Sequence, residues 1–239
     1  MKEQLFTIPV NDAFRTDCEC PVCKLYADLE KESIDFVMGP SYMEDDVRME
    51  TNEVGFCSHH VRQMYQYQNR LGLALMLHTH MKRTNEMIER LSQKGTTSGK
   101  GLFAKKDTDE LTEYLDKLEH SCYVCNRMDR IFHRYLETIL YCYDKDTAFR
   151  QIFQTGKGVC TSHYAALREA ARKKWSGAKL ENFIQDLNRT YLENMKRVTD
   201  DLEWFTDKFD YRNADAPWKN SRDALPRSIV KTNHTIISE

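Results

Sequence analysis

An all-α fold in two tandem helical halves is what this sequence predicts, on three observations. Apolar residues recur at helical spacing in the long segments, no window sustains the period-two alternation of a strand, and one pair of cysteine/histidine motifs is written twice. Each half is expected as a hairpin plus a long helix, clasped by a site of three cysteines and one histidine, with an irregular C-terminal strap.

Cys20-Pro21-Val22-Cys23 returns as Cys122-Tyr123-Val124-Cys125 at an offset of 102, and Gly55-Phe56-Cys57-Ser58-His59-His60 returns as Gly158-Val159-Cys160-Thr161-Ser162-His163 at 103. One extra residue between matched motifs is what a tandem duplication with a loop insertion leaves. The boundaries that follow are 1–94 and 107–208 for the two halves, 95–106 for a linker and 209–239 for the tail.

In the first half a helix over 24–38 carries Tyr26, Leu29, Phe36 and Val37. Gly39-Pro40 ends it, and Ser41 with Glu44 forms a capping-box signature for a return helix through Met49. Leu77, Met81, Thr84, Ile88 and Leu91 mark the long helix that follows. Residues 94–101 have the composition of a flexible linker, after which Asp107 and Glu110 are expected to cap a helix bearing Leu111, Tyr114, Leu115 and Leu118. The second half repeats the order. Ile131, Phe132, Tyr135, Leu136, Ile139, Leu140 and Tyr143 form one stripe; a shorter helix carries Tyr164, Leu167 and Ala171; Gly177 breaks it from the strongest stripe in the chain, Leu180 to Phe205.

Composition narrows the function. The 239 residues hold 35 Lys plus Arg against 37 Asp plus Glu, so no excess of cations disposes the chain to a polyphosphate backbone, and nucleic acid is disfavoured as a partner. The longest apolar run, 71–77, is far short of the ~20 residues that cross a bilayer. The N-terminal residues lack the apolar core of a secretory signal, so a reducing cytoplasm is expected, where eight cysteines point to metal or thiol chemistry rather than disulfides.

Two residues between ligands let a chain fold around one ion, with two sulfurs in CxxC and a sulfur and an imidazole in CxxH. The expected sites are Cys20, Cys23, Cys57 and His60 within the first half, and Cys122, Cys125, Cys160 and His163 within the second. The paired motifs lie 33 and 34 residues apart, which a helical hairpin of equal arms would close; spacing alone does not exclude exchange of motifs between the halves. Sulfur-rich tetrahedral shells suit zinc, two ions per chain, with an iron–sulfur cluster as the alternative. Both shells are closed at four protein ligands, the signature of a structural site. Six thiolates and two Zn²⁺ take the formal charge from −2 to −4, and Lys24 or Arg127 are candidate basic neighbours.

Cys18 has no counterpart and reads as an incidental thiol, or else as an alternative ligand or reactive group; Cys142 reads as core. Residues 95–101 fail the phosphate-loop pattern. Asp129, His133 and Glu137 share a helix face that reads as solvated. His78 and His80 are on different faces, and His59 could replace His60, although the second motif offers Ser162 there. Arg168, Arg172, Lys173 and Lys174 beside Trp175 read as a solvated face rather than an anion patch. In the tail, Trp218 and its neighbours suggest a strap over 209–226 packed on the body, with 230–239 frayed.

The four motifs, followed by Phe209-Asp-Tyr-Arg-Asn-Ala-Asp-Ala-Pro-Trp218 and Asp223-Ala-Leu-Pro-Arg227, resemble an uncharacterised bacterial family, a domain of unknown function, over nearly the whole chain. The resemblance implies a cytoplasmic protein with paired cysteine/histidine motifs and carries no activity. Three function classes stay open: a zinc-stabilised, non-enzymatic interaction or regulatory module with a protein partner; a thiol-redox or metal-responsive protein; and an enzyme with a pocket between the halves.

Overall fold

The computed structural model describes residues 4–93 and 109–237, and these are predominantly helical, with no strand among them. The order is α1 (Gln4–Arg15), α2 (Pro21–Met38), α3 (Asp45–Val54), α4 (Ser58–Gln66), α5 (Arg70–Ser92), α6 (Glu110–Glu119), α7 (Tyr123–Lys145), α8 (Thr147–Thr155), α9 (Thr161–Lys174), α10 (Gly177–Asp207) and α11 (Ala224–Asn233). Short 3-10 turns occupy Pro40–Met43 and Tyr211–Asn213. The expected linker and Asp107 lie outside the described residues.

Two compact units emerge, Met1–Asp28 with Ile131–Glu239, and Leu29–Arg130. These are not the halves expected from the repeat, because the unit boundaries fall inside α2 and α7.

In the first unit α8 packs on α1 and α10, and α9, α10 and α11 pack on one another. The α7 stripe is buried at Tyr135, Leu136, Ile139, Leu140 and Tyr143, and Cys142 is core as expected. Edge-to-face and tilted rings fill the centre: Tyr143 lies 4.9 Å from Phe183, Phe14 lies 4.8 Å from Phe149, and Trp175 lies 5.5 Å from Phe183. Trp175 is therefore a packing residue. Helix α1, which holds Pro9 and was not among the expected helices, buries Val10 and Ala13 and sets Phe6 edge-on to Tyr135, all at helical spacing.

In the second unit α3, α4 and α6 each pack on α5 around Val47, Met64, Leu73 and Met76. Ser41 does not cap the return helix. It belongs to the 3-10 turn, and Glu44 takes the cap position without a side-chain bond. Asn69 caps α5 by accepting from Gly72 N–H, and Asp109 caps α6 by accepting from Thr112 N–H.

The tail is less irregular than its composition suggests. Lys208 Nζ donates to the carbonyls of Asn213, Ala214 and Ala216 at 2.6, 2.8 and 2.6 Å, which winds 209–216 back on the end of α10. Trp218 lies 6.0 Å from Phe205, and Trp204 Nε1 donates to Pro217 O. Residues 224–233, expected as strap and frayed end, instead form α11, which packs on α9 and α10.

Candidate metal centres

Four helices begin at the four motifs. Cys57 and Cys160 are the N-cap residues of α4 and α9, while Cys20 and Cys122 stand immediately before α2 and α7. A helix start offers unpaired N–H groups and a partial positive charge, the environment that stabilises a thiolate. In each CxxC the second cysteine is three residues on, so its N–H turns to the first sulfur; Cys23 N lies 3.4 Å from Cys20 Sγ.

The helix starts meet in exchanged pairs. Cys20 and Cys23 join Cys160 and His163, all four buried, and Cys122 and Cys125 join Cys57 and His60, with Cys57 and Cys125 half-buried. Pairing within each sequence half is thus corrected: Cys20 and Cys23 do not meet Cys57 and His60, nor do Cys122 and Cys125 meet Cys160 and His163. The reason is helix length. The 18 residues of α2 rise ~27 Å and the 10 of α3 only ~15 Å, while the 23 of α7 rise ~35 Å and the 9 of α8 only ~14 Å. Each return helix is far shorter than the helix it follows, so the arms of the hairpin are unequal.

In the first centre His163 Nδ1 lies 3.5, 3.4 and 3.2 Å from the sulfurs of Cys20, Cys23 and Cys160, and Cys23 Sγ lies 3.6 Å from Cys160 Sγ. In the second His60 Nδ1 lies 3.3, 3.4 and 3.4 Å from Cys57, Cys122 and Cys125. A tetrahedron with metal–sulfur bonds of ~2.3 Å and metal–nitrogen bonds of ~2.0 Å has edges of about 3.8 and 3.5 Å. Both groups can hold a metal ion.

Without a cation Cys20, Cys23, Cys122 and Cys125 resist ionisation. Burial pushes Cys20 up to about 12 and raises Cys122 and Cys125 too. Cys23 rises chiefly through its sulfur contact with Cys160, while Cys160 falls because Cys20 and Cys23 donate to it. A dication among the three sulfurs would let all of them ionise. Burial also lowers His60 and keeps it neutral, the ligating form.

The glycine of each CxxH motif has a geometric cause. Gly55 and Gly158 have φ of +61° and +69°, and a Cβ there would lie 2.5 Å from His80 Nε2 and 2.9 Å from Thr190 O. The turn into each CxxH motif thus lies close against the long helix that follows, α5 or α10.

The surroundings of the two centres differ, and the sequence reading missed the residues that make the difference. At the second, Ser121 Oγ donates to Val54 O at 2.7 Å and Tyr123 N–H to Gly55 O at 3.0 Å. At the first, Glu19 and Pro21 stand where Ser121 and Tyr123 do, and neither supplies those donors. Lys231 of α11 serves the carbonyl that corresponds to Val54 O: its buried Nζ donates to Lys157 O at 2.5 Å, and also to Glu19 O at 2.7 Å. Arg197 and Lys231 both face the Glu19 carboxylate, at 2.6 and 3.4 Å. No signal in the tail marks Lys231 for this role. Glu30 was also missed; its Oε1 faces His60 Nε2 at 3.2 Å.

Other candidates separate from the centres. Cys18 is half-buried, belongs to neither group, and lines a cavity of about 290 Å³ with Phe14, Phe153, Lys157 and Leu187. Asp129, His133 and Glu137 are exposed, as are His78, Arg172, Lys173 and Lys174. His80 Nδ1 lies 2.9 Å from Asn52 O. Lys24 pairs with Asp28, and Arg127 lies over the Phe36 ring at 3.9 Å.

Helix starts converging in pairs on two sulfur-rich clusters define an all-helical protein with two candidate metal centres. The chain matches over residues 1–239, and belongs to, the family described as a family of unknown function (DUF6062). No curated protein and no solved structure matches it. No helix of the described residues is long and apolar enough to cross a membrane.

Proposed function

We propose that this is a zinc-stabilised helical protein, holding one Zn²⁺ at Cys20, Cys23, Cys160 and His163 and one at Cys57, His60, Cys122 and Cys125, and serving as a non-enzymatic interaction or regulatory module. The observation that carries the reading is the closed donor set: three sulfurs and one imidazole nitrogen at tetrahedral spacing fill the shell and leave no position for water or substrate. Zinc suits a three-sulfur, one-nitrogen tetrahedron, whereas iron–sulfur clusters mostly take four cysteines. The ions link segments far apart in sequence, so metal binding adds to folding energy. A reducing cytoplasm keeps the thiols available to them, and the long helices offer surface to a protein partner.

Element analysis of protein purified without added metal tests this: two zinc ions per chain are expected, with chelation lowering the melting temperature. Metal-free protein with an unchanged melting temperature, or visible iron–sulfur absorption, overturns it. A metal-responsive role is favoured at one centre by the half-buried Cys57 and Cys125, whose sulfurs are open to exchange as the buried set is not.

A further inference from the structure

We propose that Glu30 and His59 form a landing site through which a divalent cation enters and leaves the centre of Cys57, His60, Cys122 and Cys125, an inference that rests on that centre holding a metal. His60 turns Nδ1 to the three sulfurs and presents Nε2 to Glu30 Oε1 at 3.2 Å. The same carboxylate oxygen lies 2.8 Å from His59 Nε2, and donor atoms of Glu30, His59 and His60 all fall within 4.8 Å of one another. Exposure falls steadily inward, the side chains of His59, Glu30 and His60 being 64%, 24% and 5% accessible. A carboxylate oxygen and one imidazole nitrogen, with water completing the shell, bind zinc-like ions weakly enough to exchange. The half-buried sulfurs of Cys57 and Cys125 are the next donors inward.

The other centre shows what a closed version looks like. Phe132 stands seven residues after Cys125, as Glu30 stands seven after Cys23, and its ring lies 5.6 Å from that of His163. Ser162 replaces His59 and bonds to His234, which follows α11, at 3.2 Å. An aromatic ring and a hydroxyl occupy the places of the carboxylate and the imidazole, and all four ligands are buried.

Stopped-flow uptake of Zn²⁺ by the metal-free full chain, and its release from the loaded chain to a chromophoric chelator, test the proposal. Two phases are expected, the faster absent in Cys57→Ser. A landing site lowers the barrier in both directions. His59→Ala should therefore slow uptake and release in the fast phase by the same factor, with Kd unchanged. Glu30→Gln, which removes the charge, should also slow uptake. Unchanged rates in both variants overturn the proposal, as does faster release with weakened affinity, which would make these residues mere orienters of His60. A wild-type chain that binds no Zn²⁺ overturns the zinc reading itself, a result distinct from either.

Discussion

Cys23 and Cys160 are 137 residues apart in the chain, and their sulfurs lie 3.6 Å apart. That contact, with its counterpart of Cys57 beside Cys122 and Cys125, means that each cluster combines the CxxC of one sequence repeat with the CxxH of the other.

Exchange makes a prediction that pairing within repeats reverses. Residues that share one ion act as a unit and are non-additive, whereas residues of separate centres add. Cys23→Ser with Cys160→Ser should retain one zinc per chain, and Cys23→Ser with Cys57→Ser should retain none. Metal stoichiometry by mass spectrometry decides; the opposite pattern returns the ligands to the repeats.

Lys231 is buried and donates to Glu19 O and Lys157 O beside the first centre. Lys231→Met keeps the length of the side chain but strips two carbonyls of their donor and leaves Glu19 with Arg197 alone. Removing one partner of a buried charged pair costs about 3 kcal/mol. A lowered urea midpoint, with zinc lost more readily from Cys20, Cys23, Cys160 and His163 than from the other centre, is expected. An unchanged midpoint would show that α11 is not needed.

Both motif glycines have positive φ, so alanine at either should cost about 1–2 kcal/mol in backbone strain. Gly158→Ala should cost more than Gly55→Ala, since its Cβ would meet the Thr190 carbonyl of α10, while the His80 ring can swing away. Denaturant midpoints of the two variants give the order directly.

Asp186 accepts from Tyr143 at 2.6 Å, Gln154 at 2.5 Å and Arg189 at 3.0 Å. Burial pushes its carboxyl up, but these donors outweigh burial and hold it below the usual carboxylate range. A depressed folded value means that the ionised form stabilises the fold above the unfolded value of about 3.9, and that this stabilisation is lost as pH falls through the folded value. Asp186→Asn should cost about 1 kcal/mol at pH 7, with the difference from wild type shrinking below pH 4. A difference that stays constant with pH would remove the charge from the explanation.

The sequence by itself determined the helical class, the eight cysteine and histidine residues of the two clusters, and the core face of α7. These depend on local rules: helical periodicity places Tyr135, Ile139 and Tyr143 on one side, and a two-residue spacing turns Cys23 toward Cys20 and His60 toward Cys57. Cys142 in the core and Asp129, His133 and Glu137 in solvent were legible for the same reason. Which CxxC meets which CxxH was decided by the tertiary structure, because it depends on how far each helix runs before it turns, and α3 and α8 are too short to retrace α2 and α7. Glu30 and Lys231 were likewise settled only by packing. A carboxylate on a helix face and a lysine in a polar tail carry no local mark of the histidine and the carbonyls they meet across the fold.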